Sequence, residues 1–215
     1  MPKTKKRDST KSKQLILQNA IKLFAKNGYK NSSMDELASM CDLNKAMIFY
    51  YYKNKKKLYE AVIIEILDQI YTKIITTNNT IINAKDKLES FIQTFTNFAW
   101  QRPYFSSLLL RELSNSNHDN ISTTLFENMK KLYILFCNIL KDGENTDFIK
   151  DCSKNSMMLY FMITGTINLM ITTKNIRQQA YQNDAIDTCN KCNADDISSY
   201  ITEQILHQIL NKELK

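Results

Sequence analysis

SMDELASMCDLNKAMIFYYYKNK, from Ser33 to Lys55, holds two short helical patterns and a tight turn between them. Ser33 is a good N-cap, and Glu36 three residues on completes the spacing of a capping box. Leu37, Met40 and Cys41 then recur at helical spacing as one apolar face. Asp42 stands where the first helix should stop. Asn44 is a second N-cap. Beyond it Ile48 and Tyr52, four apart, face inward together. Lys45, Ala46, Met47, Phe49 and Tyr50 are left for the front and sides. Two short helices joined by a few residues form a helix-turn-helix, whose second helix presents its first residues to a DNA major groove.

The residues before this stretch fit the same unit. Leu15, Ile16, Ala20, Leu23 and Phe24 mark a helix over about Lys11–Asn27, and Gly28 is placed to end it. Residues 1–10 form a charged arm, able to reach the minor groove or nearby phosphates, or equally to idle as a tail. Charge is concentrated here. Residues 1–60 hold 14 Lys+Arg against 5 Asp+Glu, a net of +9, whereas residues 61–215 hold 15 against 17, a net of −2. A basic end on a near-neutral body is the footprint of a polyanion-binding module. A lysine-rich solvated surface is the plain alternative, and the helix-turn-helix pattern favours nucleic acid.

From Ile16 to Leu58 the chain resembles the DNA-binding domain of the TetR family of bacterial transcription regulators. The resemblance rests on Ala20, Leu23-Phe24-Ala25, Gly28-Tyr29, Ser33, Leu37-Ala38, Leu43, Lys45, Phe49-Tyr50-Tyr51-Tyr52, Lys55 and Leu58, in the family's order and spacing. It implies a DNA-binding domain over 11–70 and an effector-binding and dimerisation domain over 71–215. The chain departs from the family pattern at Asp42, where glycine is usual, and at Phe49, where tyrosine is usual. Ala46 and Met47 replace the commoner glycine and hydroxyl residues. On the resemblance and the residues together, the expected DNA contacts are Ser33, Asn44, Lys45, Ala46, Met47, Phe49, Tyr50, Tyr51 and Lys55. Lys45 is the first candidate for a base edge.

The rest reads as helices only. Three Gly and two Pro in 215 residues leave few turn makers for an all-β fold. Apolar periodicity predicts helices over 55–76, 84–101, 104–113, 121–141, 148–173 and 195–211. Thr76–Thr80 is expected as an exit loop and Gly143 beyond the end of its helix. Asn155–Thr173 has no charged residue, yet carries too many polar ones for a membrane span, so a buried helix is expected there. In the resembling family the last two long helices pair with a second subunit, which implies that Phe148–Thr173 and Asp195–Asn211 do so here. The fold class is all-α: an N-terminal three-helix helix-turn-helix domain, then a helical ligand-binding and dimerisation domain.

Phe91, Phe95, Phe98, Phe105, Phe126, Met129, Tyr133, Met158, Phe161 and Met162 are the candidates for a pocket around a small apolar effector. Ordinary helical core is the commoner fate of such residues. Cys189 and Cys192 have redox or half-zinc spacing, but their polar surroundings favour chance over a thiol sensor. Two isolated His, no glycine-rich phosphate loop and no nucleophile motif disfavour an enzyme, and no cofactor or metal is expected. Five Cys and a basic start without a following apolar run point to reduced thiols and a cytoplasmic location. The expected partners are double-stranded DNA, the effector and a second copy of the chain, with no membrane. The competing class is a helical interaction module using its basic end on an acidic protein or membrane surface.

Overall fold

Helix α1 spans Ser9–Asn31, with Ile16, Ala20, Leu23 and Phe24 buried as their spacing predicts. Gly28 interrupts it at φ 74°, ψ 171°, a backbone region essentially reserved for glycine. The first helical run thus ends at Gly28 as expected, and a short second helical stretch follows to Asn31. A Cβ at Gly28 would also stand 2.5 Å from the Arg111 guanidinium. Met34–Cys41 (α2) and Lys45–Tyr52 (α3) come next, then Lys55–Asn78 (α4), capped by the Asn54 side chain on the Lys57 N–H. In α4 both predicted apolar stripes contribute to the core, through Leu58, Val62, Ile66, Ile70 and Ile74 on one and Ile63 and Leu67 on the other. This helix runs to Asn78, past the expected end at Thr76. Thr76 and Thr77 bond back to carbonyls of the preceding turn, and the buried Asn78 donates to the Lys87 carbonyl.

The computed structural model describes residues 9–114, 123–146, 148–149, 155–180 and 192–210. Its remaining helices are Ala84–Gln101 (α5), Pro103–Ser114 (α6), Thr123–Glu144 (α7), Ser156–Thr172 (α8), Lys174–Ala180 (α9) and Ala194–Ile209 (α10). No strand occurs among the described residues; Ile149 and Leu210 form an isolated antiparallel bridge. The middle of the body is α5, which touches α4, α6, α7, α8 and α10. It buries Leu88, Phe91, Ile92, Phe95, Phe98 and Ala99. Pro103 opens α6, the position where its missing N–H costs nothing. Helix α10 starts with a full capping box between Asn193 and Asp196.

Three expectations are corrected. Gly143 lies inside the last turn of α7, where the Ile149 side chain and Ala84 crowd its backbone. The helix expected over 148–173 has its described span at Ser156–Thr172, Ile149 stands in a bridge to Leu210, and after a 64° bend the helix gives way to α9, which the periodicity does not predict. The uncharged 155–173 segment is also only half buried. Leu159, Ile163, Ile167 and Ile171, at i, i+4 spacing, go inward, whereas Met157, Met158, Phe161, Met162 and Leu169 stay exposed. No single helix among the described residues is long and apolar enough to cross a membrane; only the bent pair α8–α9 meets the length and composition together.

Packing at Gly143 gives a direct test. A Cβ there would meet Ile149 Cγ1 at 2.8 Å and Ala84 Cβ at 3.2 Å. Overpacking of this kind costs about 1–3 kcal/mol. Gly143→Ala is therefore expected to lower the urea midpoint, although glycine to alanine inside a helix is ordinarily stabilising.

Candidate nucleic-acid interface

The turn between α2 and α3 is closed by backbone geometry. Asp42 adopts the left-handed conformation, φ 51°, ψ 48°. Its N–H donates to the Ser39 carbonyl (3.2 Å), and the Leu43 N–H donates to the Ala38 carbonyl (3.0 Å), the bond pair of a Schellman motif. Aspartate does here what glycine does more cheaply. Asn44 then caps α3, its amide oxygen accepting from the Ala46 N–H at 2.9 Å.

Helix α2 is capped by Ser33, whose hydroxyl accepts from the N–H groups of Asp35 (3.1 Å) and Glu36 (3.4 Å). The reciprocal half of the expected capping box is replaced: Glu36 instead accepts from the Asn27 amide of α1 at 3.2 Å. Leu37 and Cys41 are buried as expected, but Met40 is 41% exposed. Cys41 accepts from the Asn19 amide, and burial pushes its thiol pKa up, the mark of an inert core cysteine.

Helix α3 is held by Ile48 and Tyr52, both buried. The Tyr52 hydroxyl donates to the Lys13 carbonyl of α1 at 3.0 Å. At about 100° per residue, Ala46 and Tyr50 lie opposite these anchors, flanked by Met47 and Phe49. Exposure matches that geometry: Tyr50 is 77% exposed, Met47 and Phe49 37% each, and Ala46 is exposed as well. Tyr51 is half-buried, its ring edge-on to Tyr50 at 5.2 Å. Lys45 sits nearer α2, and its ammonium lies 2.8 Å from the Asp35 carboxylate. Lys55 is likewise engaged: it donates to the Lys30 carbonyl at 3.2 Å and lies 4.7 Å from the Tyr29 ring centroid. The structure thus gathers Asn44 to Tyr51 on and around one helix. It adds Asp35, which sequence reasoning misses because no local periodicity pairs it with Lys45.

This unit is joined to the body by α4 itself, which packs on α5 and α7, and also through α6. The Tyr59 hydroxyl of α4 donates to the Glu112 carboxylate, and the Arg111 guanidinium donates to the Phe24 carbonyl at 3.5 Å. Phe24, Tyr29 and Tyr59 pack as an aromatic trio beside these contacts. Burial, and then the Glu112 carboxylate, push the Tyr59 phenol pKa up, so it stays a donor.

Among the described residues, the nominated pocket side chains divide between a packed cluster and an exposed helix face. Phe91, Phe95, Phe98 and Phe105 are buried against one another and Phe136, with ring centroids 5.3–6.3 Å apart along the chain of contacts. Tyr133 bonds Ser156 (2.9 Å) and packs on Tyr160, and Met129 sits at the edge of the core. Met158, Phe161 and Met162 point away from the core on the exposed face of α8, because their helical phase is opposite that of Leu159 and Ile163. The side chain of Phe126 lies outside the described residues, as do Cys189, Cys152 and His118. A groove of about 960 Å³ between α4 and α5 has Glu65, Asp68, Gln93, Asn97 and Arg102 on its walls; of the nominated set only Phe98 touches it.

Residues 16–62 match the family model described as bacterial regulatory proteins, tetR family. Among characterised proteins, "Probable HTH-type transcriptional regulator YttP" of Bacillus subtilis is 31% identical over 149 residues, 63% of this chain and 65% of that protein. IcaR of Staphylococcus aureus, the HTH-type negative transcriptional regulator of the biofilm operon icaADBC, is 30% identical over 83 residues, 39% of this chain and 45% of that protein. The chain therefore spans less than two thirds of the length of either relative. Among solved structures, the transcriptional regulator FadR from Bacillus subtilis in complex with stearoyl-CoA superposes with a TM-score of 0.74 at 22% identity, covering 90% of this chain and 97% of that one.

Two substitutions test how α2 and α3 are held. Ser33→Ala removes a cap and is expected to cost about 1 kcal/mol in urea denaturation. Tyr52 has its pKa pushed up to about 12 by burial, with the Glu65 carboxylate adding to it. The folded value lies above the ordinary phenol value of about 10. Its contribution is therefore whole below about pH 10 and is lost as pH rises through about 12. Stability should fall less steeply over that window in Tyr52→Phe than in the parent.

Proposed function

We propose, from the match of residues 16–62 to the family model described as bacterial regulatory proteins, tetR family, that the chain is a DNA-binding transcriptional regulator, acting as a ligand-responsive repressor on a pseudo-palindromic operator. The observation that carries the reading is the uncovered outer face of α3, set in a segment of net charge +9. Residues 11–70 act as the DNA-binding unit and residues 71–215 as the effector-binding and dimerisation unit. Lysines from Lys3 to Lys13, with Lys53, Lys56 and Lys57, supply the salt-dependent attraction to phosphate. Ser33 and Tyr51 hold the register on the backbone, and Asn44 to Tyr50 face the groove. Lys55, bound to Lys30 and Tyr29, stiffens the rim of the unit.

The protein works as a homodimer, which sets two α3 helices about 34–36 Å apart on successive major grooves. The exposed strip of α8 supports this reading: Met158, Phe161 and Leu169 are uncovered, and Gly165 leaves open space for a close partner helix. The isoleucines expected on the α10 interface, Ile197, Ile201, Ile205 and Ile209, are instead buried, α10 packing mainly on α5, so the dimer contact centres on α8.

Repression as the sign of action is taken from the negative regulator IcaR, the relative whose name states a sign. A small apolar effector acts by opening the phenylalanine cluster. Phe105 belongs to that cluster and sits on α6, the helix whose Arg111 and Glu112 hold α1 and α4. Displacing Phe105 therefore moves the joint, and differential affinity for the two states releases DNA. Long-chain acyl-CoA is the first effector to try, because FadR of the same fold was solved with stearoyl-CoA.

Fluorescence anisotropy on duplexes from the flanks of the protein's own gene tests this reading. A pseudo-palindromic site should bind tighter than random duplex, lose affinity with rising salt, and lose part of its preference in Lys45→Ala. Sedimentation should give a dimer that Leu169→Asp converts to monomer. Equal binding to all duplexes would overturn the DNA reading.

A further inference from the structure

We propose that α3 reads its half-site chiefly through thymine methyl groups, so that the operator presents A·T pairs with their thymine methyls against Ala46, Met47, Phe49 and Tyr50. The inference rests on the DNA-binding reading above and specifies what that face recognises. In the major groove, guanine is read by Arg or Lys, adenine by Asn or Gln, and cytosine by Asp or Glu; the thymine C5-methyl is the feature that rewards an apolar side chain. The outer face of α3 holds no Arg, Asn, Gln, Asp or Glu. Ala46, Met47 and Phe49 carry no strong hydrogen-bonding side-chain group, and Tyr50 has one hydroxyl at the end of its ring. All four are exposed. The lone ammonium of the helix, Lys45, lies off to the α2 side and is paired with Asp35 at 2.8 Å. The amide oxygen of Asn44 is engaged in capping.

The surroundings identify the occupant as duplex DNA. Lys53 and Lys56 are exposed just beyond the C-terminal end of α3, and the first 60 residues carry the whole positive excess of the chain. An apolar strip framed by ammonium groups matches methyl groups on a groove floor between two phosphate walls. A protein groove lined by apolar side chains would leave those lysines unmatched.

The full-length protein is used to select its preferred sites from a random duplex pool. Thymines in the selected half-sites are then replaced by deoxyuridine, which removes the C5-methyl and keeps the Watson–Crick pair. Each methyl buried against the helix should contribute about fourfold in affinity, so a fully substituted half-site should bind roughly tenfold or more weakly. The same replacement outside the half-sites should change nothing. Met47→Ala, a surface change, should abolish the penalty at the thymine it contacts and leave the others. Unchanged affinity for the uracil operator would overturn the methyl reading while leaving sequence-specific binding intact. Enrichment of no sequence at all would instead overturn the DNA-binding reading, and this inference with it.

Discussion

Ile48 and Tyr52 are the two inward side chains on which the working end depends. Helix α3 has eight residues, too few to be stable alone in water. It exists because two anchors, one turn apart, are buried and because Tyr52 reaches across to the Lys13 carbonyl of α1. Two anchors on so short a helix leave most of its surface outside. The outward face of α3 is thus settled by the same phase that buries Ile48 and Tyr52. The left-handed Asp42 sets the crossing of α2 and α3 and thereby the direction in which that outer surface looks.

From this anchor two routes run back to the body, α4 itself, which packs on α5 and α7, and α6. Helix α6 packs on α1, α4, α5 and α8. Near its start Phe105 joins the aromatic core; near its end Arg111 and Glu112 bond to Phe24 and Tyr59. Gly28 completes the joint, since any side chain there would strike the Arg111 guanidinium. The chain conformation that only glycine adopts and the space that only glycine leaves coincide at one residue. Helix α6 thus links the phenylalanine cluster to α1 and α4 with no loop in between.

Legibility in the sequence tracks the range of the interactions. Ser33, Asp42, Asn44, Ile48 and Tyr52 are readable because caps, turns and i, i+4 pairs are local, and the family resemblance lies over these same residues. The Asp35–Lys45 and Glu36–Asn27 contacts are not readable, since each joins two helices whose crossing the sequence does not state. The phenylalanines are plainly apolar, but whether apolar rings line a cavity or fill one another is a question of packing. The described span of α8 starts at Ser156, later than its periodicity predicts. Ile149 is apolar and in phase with the helix, yet it stands in a bridge to Leu210.

Among the described residues the apolar faces of α3 and α8 are both uncovered, and their electrostatic settings differ. The face of α8 belongs to a segment, 155–173, with no charged residue and with open space at Gly165. Such a surface rewards another helix of the same kind, which buries the methionines and leucine without stranding a charge. The face of α3 is bordered by lysines, and a second copy laid upon it would bring like charges together. The same physical property, exposed apolar area, therefore suits a like helix at one end and, in the proposed function, a polyanion at the other. Exchanging the two partners would leave ammonium groups unmatched at α3, and would set DNA phosphates against a stretch of α8 that has no cation to receive them.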